Sequence, residues 1–158
     1  MSQAVAFEGV LHAEAVTFNC SPDRSVFSFL YDNFTVEWLP QDSSGEESKT
    51  ASRRLHLATG EGSVGHLLVL DLRGASFGTL AQDAALTVQV GGSTETVPLS
   101  RGEEGSEICH RMEVRVEEDR SVVPIVLTAT IPKPQSAGVQ ATIKVDTLDI
   151  ALVPAAGA

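Results

Sequence analysis

Cysteine is nearly absent: Cys20 and Cys109 are the two in 158 residues. Two are too few for a disulfide scaffold. A bond between them would close a long loop, worth about 4–5 kcal/mol in the chain-entropy picture. Two unpaired thiols in a reducing compartment is the alternative, and the sequence leaves both open. Basic charge is scarce too, with 11 Lys and Arg against 21 Asp and Glu, a formal net charge of −10. Nucleic-acid binding rests on Lys and Arg neutralising phosphates, so that partner class is not expected. An anionic membrane surface is disfavoured for the same reason. The longest basic run is Arg53-Arg54. No stretch approaches the roughly 20 apolar residues of a membrane-spanning helix, so no membrane insertion is expected. Residues 1–15 lack a basic start, and Glu8, His12 and Glu14 interrupt any apolar run, so no signal peptide is read there.

Catalytic motifs are missing as well. There is no Gly-x-Ser-x-Gly; Gly62-Ser63-Val64-Gly65 is one residue short of it and precedes a strand. Gly60-x-Gly62-x-x-Gly65 has the letters of a dinucleotide fingerprint, but no helix follows it. Of the histidines His12, His56, His66 and His110, only His110 has a close potential ligand, Cys109. Neighbours on a strand face opposite sides, so that pair does not share an ion. The many carboxylates offer no pair that stands out as a glycosidase couple. No cofactor is expected.

What remains is strand, turn, strand. Residues 4–18 are apolar with Thr and Phe, and 19–23 form a turn cluster. Residues 25–39 hold most of the aromatics. Phe27, Phe29 and Tyr31 share one parity, and Phe34, Val36 and Trp38 the other, which requires a bulge or bend at Asp32-Asn33. Residues 40–51 read as the clearest exposed loop, and 53–58 as a short strand. The run 67–72 is apolar on both parities, as expected of a central strand covered on both faces. Residues 84–90 alternate, Gly91-Gly92 signals a tight hairpin, and 94–97 is its return. Met112, Val114 and Val116 alternate with Arg111, Glu113, Arg115 and Glu117. Residues 122–131 are apolar or Thr, but Pro124 argues for a late start or an edge position. Residues 139–153 form a last long strand with a second parity switch near Asp146-Thr147. The tail 154–158 is loose.

No segment keeps a 3.6-residue period. Eight or nine short strands with glycine-rich turns predict one all-β domain over 1–158, an antiparallel β-sandwich of jelly-roll type.

Three segments resemble the family catalogued as domain of unknown function 4360. They are Asn19-Cys20-Ser21-Pro22, the strand ending Phe34-Thr35-Val36, and Leu70-Asp71-Leu72-Arg73-Gly74 with a Leu-Thr-Val strand at 86–88. The likeness covers about residues 17–97. The family often carries a cysteine where Arg54, Leu55 and His56 stand here. The resemblance implies a small, β-rich, exported protein, and implies no activity.

Candidate site residues follow from chemistry. Asp42, Glu46 and Glu47 beside a glycine offer hard oxygen ligands for calcium, without EF-hand spacing; a solvated loop is the simpler reading. Tyr31 or Trp38 could provide a sugar-stacking platform, although aromatics total only 5%. Structural roles are assigned to Cys20, Cys109, Arg73 and Gly74. Arg73 would cap a carboxylate such as Asp71 or Asp32, and Gly74 would permit positive φ. The favoured function is a non-enzymatic structural or protein-interaction module that self-associates through strand edges, with 122–131 and 139–153 supplying an intermolecular face. A carbohydrate- or calcium-binding sandwich is the alternative.

Overall fold

The computed structural model describes residues 6–14, 16–41, 45–78, 80, 84–99, 105–134 and 138–154. The described strands are β1 (Phe7–Ala13), β2 (Thr17–Cys20), β3 (Val26–Trp38), β4 (Ser48–Thr59), β5 (Leu67–Gly78), β6 (Ala85–Val90), β7 (Ser93–Val97), β8 (Ser106–Arg115), β9 (Val122–Pro132) and β10 (Ala141–Val153). They form two five-stranded sheets, ordered β1-β4-β9-β6-β7 and β2-β3-β10-β5-β8. All pairings are antiparallel.

The pairs β3–β10, β4–β9, β5–β8 and β6–β7 nest inside one another along the chain. This is one long hairpin rolled onto itself, the eight-stranded jelly roll. β1 and β2 extend it, one on each sheet, giving ten strands among the described residues where eight or nine were expected.

The core follows period-2 alternation. Phe27, Phe29, Tyr31, Phe34, Val36 and Trp38 of β3 face Leu55, Leu57, Ile125, Leu127 and Ile131 of the opposite sheet, all buried. Both parity switches are real. In β10, Val145 pairs with Phe34 and Gly74, while Thr147 pairs with Leu30 and Arg73. Asp146 therefore stands outside the register, opposite Tyr31, Asp32 and Asn33 of β3. The extra residues flip the face of everything beyond them, so both halves of each strand keep their apolar side inward.

Three expectations need correction. The strand expected at 53–58 begins at Ser48, so 48–51 is not loop. Its polarity hid it: Lys49 and Arg53 lie over the rings of Trp38 and Phe34, at 4.6 and 5.0 Å from the centroids. β5 is covered on one face only, because in a two-layer sandwich each strand packs one face on the opposite sheet and turns the other outward; Leu67 and Val69 are half-buried on the outer side. β9 is central despite Pro124. Its last β6 partner is Ile125 with Val90, and the Pro124 carbonyl accepts from Gly91 N in the β6–β7 turn at 2.9 Å. N and O of one extended residue point the same way, so the missing N–H falls where the β6 ladder has ended. β9 and β10 are the middle strands of their sheets, so neither has a free edge, and what 122–131 and 139–153 present outward is a sheet face.

Candidate functional site

Among the described residues, the strands with a free edge are β1 and β7 in one sheet and β2 and β8 in the other. An edge presents unpaired N–H and C=O groups, and natural edges are usually blunted. β1 is blunted by bulges, since Glu8 and Leu11 have no register partner. β7 turns Glu95 inward, where its Oε1 lies 2.9 Å from His110 Nε2 of β8 and clips the sheets together. β8 lines its outer side with Glu107, Arg111, Glu113 and Arg115, all exposed. Arg111 reaches Asp71 with Nε and a terminal nitrogen, at 3.0 and 3.2 Å.

β2 differs from the other three. Thr17-Phe18-Asn19-Cys20 has no charge, no proline and no bulge, and every residue is exposed. Its one protection is its length of four residues. Phe18 pairs with Phe29 on the core side yet stays 47% exposed, its ring 5.7 Å from Phe29 and 6.3 Å from Phe27. Leu30, opposite Thr17, is 46% exposed. Through Phe18 the core continues outward to this edge, while Leu30 lies on the outer face.

The β2–β3 turn holds the edge in place. The Asp23 carboxylate accepts from Ser21 Oγ (2.7 Å), Ser25 N (3.0 Å) and Ser25 Oγ (2.7 Å). Those bonds, that from Ser21 foremost, hold its pKa down at about 2. Ser21 Oγ in turn accepts from Val26 N, and Arg24 takes the left-handed φ of 59°. The letters Asn-Cys-Ser-Pro-Asp announced a turn; that Cys20 and Asn19 would be strand was not visible.

The other candidate residues disperse. Tyr31 and Trp38 are 5% and 2% exposed. Tyr31 packs on Phe34, and burial pushes its hydroxyl pKa up. Trp38 donates Nε1 to the Ile131 carbonyl at 2.8 Å. Neither ring can stack on a sugar; their period-2 positions placed them in the core. Asp42 lies outside the described residues, and Glu46 and Glu47 are exposed ahead of β4. Cys20 and Cys109 are free and exposed. They sit on opposite edge strands of one sheet, four spacings or about 19 Å apart, beyond the roughly 7 Å a disulfide allows. Asp71 is taken by Arg111 rather than Arg73, which is exposed. Gly74 has no positive φ. A side chain there would strike the Lys144 carbonyl oxygen at the β10 bulge, so glycine serves close approach.

The clefts among the described residues include two of note. One of about 480 Å³ has an apolar floor including Leu68, Val90 and Val123, with Glu113, Glu117 and Glu118 at its rim. The other, about 680 Å³, lies between β3 and β4 beside Glu37, Glu46 and Lys49. Among the described residues no group of three or more His, Cys, Asp or Glu is placed to hold a metal, and no helix is long and apolar enough to cross a membrane.

No protein-family model matches the chain, and no curated protein matches it by sequence. Among solved structures, a chain of infectious bursal disease virus, Gt strain, matches at 11% identity and a TM-score of 0.49, over 89% of this chain and 37% of that one. The C-terminal CBM6 of the laminarinase LamC from the marine Zobellia galactanivorans matches at 9% identity and 0.31, over 93% and 96%. A second module, TmCBM61, solved with β-1,4-galactotriose, matches at 14% and 0.32, over 94% and 87%. This chain spans about a third of the viral chains. These likenesses carry nothing beyond the β-sandwich.

Proposed function

We propose that this β-sandwich is a non-catalytic interaction module that pairs with a second copy of itself through β2. The bare edge carries the reading: β2 alone among the four edges lacks charge, bulge and inward-turned acid. Two β2 strands placed antiparallel across a two-fold axis would join two sheets into one. A two-fold contact is self-complementary, and uncharged residues meet no like charge there. Phe18 and Leu30 would lose exposed apolar surface on opposite faces of the joined sheet.

The contact is small. About four ladder bonds at roughly 0.5–1.5 kcal/mol each, plus burial of the exposed halves of Phe18 and Leu30 in both copies, four side chains at roughly 1 kcal/mol each, work against an association cost of several kcal/mol. A dissociation constant between micromolar and millimolar follows. Sedimentation equilibrium over that concentration range tests it. The wild type should dimerise, and Asn19→Lys, which puts a charge on the edge, should remain a monomer. A wild type that stays monomeric throughout, or a mutant that dimerises as well as wild type, overturns the proposal.

A further inference from the structure

We propose that His12 and His56 form a two-histidine site for a divalent transition-metal ion on the outer face of the β1–β4 pair. The two residues are direct cross-strand partners. Their ring centroids lie 5.7 Å apart with planes tilted by 48°. An ion bound to both imidazoles at about 2.0–2.1 Å holds the centroids roughly 5 Å apart at the tetrahedral angle. The rings are therefore within a small rotation of chelating geometry.

The bulge at Leu11 creates this pairing. Val10 pairs with Leu57, and both turn toward the core. By simple alternation His12 would share the face of Val10 and point inward. Leu11 stands outside the register and is 63% exposed. The extra residue re-aims His12 to the outer face, opposite His56. Ala13 then returns to the core side against Leu55. Alternation resumes beyond the bulge with His12 outward and Ala13 inward, so the insertion re-aims both residues.

The ligand set defines the metal class. Imidazole nitrogen suits zinc, nickel and copper, whereas calcium and magnesium take oxygen. Two protein ligands leave the remaining positions to water, as in an exchangeable rather than a closed structural site. Arg54 and Glu14 lie beside the pair, but the Glu14 carboxylate is engaged by Arg54 N at 2.8 Å. A bound ion would also fasten the edge strand β1 to β4.

The test is titration calorimetry of the untagged protein with NiCl2, ZnCl2 and CaCl2. Nickel and zinc should bind at one site per chain, and calcium should not. His12→Asn and His56→Asn should each weaken nickel binding at least about tenfold, while His66→Asn leaves it unchanged. Circular dichroism checks that each variant is folded. On the wild type alone, substoichiometric Ni2+ should broaden the NMR ring-proton signals of His12 and His56 together and spare His66 and His110. Absence of nickel binding, binding that survives His12→Asn, or broadening of His12 without His56 overturns the site.

Discussion

At the scale of single residues, the fold depends on a few positions where chemistry leaves no freedom. Gly74 is one, because any side chain would collide with the Lys144 carbonyl where β10 bulges. Gly74→Ala should destabilise by about 1–3 kcal/mol, lowering the melting temperature by about 2–4 °C per kcal/mol. A melt unchanged by Gly74→Ala would show that the bulge moves freely. Asp23 acts through charge. Its folded pKa of about 2 lies below its ordinary 3.8, so the carboxylate's contribution is complete above the unfolded value and vanishes as pH falls through the folded one. Wild type should therefore melt above Asp23→Asn at pH 7, and the gap should close between about pH 4 and pH 2. A gap independent of pH would contradict the assignment. The sequence placed Gly74 at a critical point but suggested positive φ, because proximity to a strand 70 residues away in the chain is invisible locally.

At the scale of elements, alternation read from the sequence located the inward face of β3, β6, β8 and β10 and both bulges. It failed where tertiary placement overrides pattern. β4 was cut short because Lys49 and Arg53 are cations lying over core aromatics. Pro124 pointed to an edge, whereas its missing donor lies beyond the end of β6. The candidate site was the least legible part. An edge is defined by the absence of a neighbour, and four uncharged letters do not announce one. The β2 and β8 edges also decide the cysteines. Cys20 and Cys109 stand at opposite margins of one sheet and are exposed. Two thiols per chain should react with a chromogenic disulfide reagent in native buffer; fewer than two, restored by a reductant, would contradict that placement.

At the scale of the whole molecule, a net charge of −10 makes copies repel one another. The proposed contact through β2 is itself uncharged. Raising ionic strength should therefore strengthen association by screening the repulsion. Weakening with salt would point to a contact between opposite charges, such as the alternating edge of β8. The most direct measurement is amide hydrogen exchange at several protein concentrations. Amides of Thr17–Cys20 that face away from β3 should exchange rapidly when the protein is dilute and become protected as concentration rises. The edges of β1, β7 and β8 should show no such dependence. Protection that appears at another edge, or β2 amides that exchange at one rate at every concentration, would contradict pairing through β2.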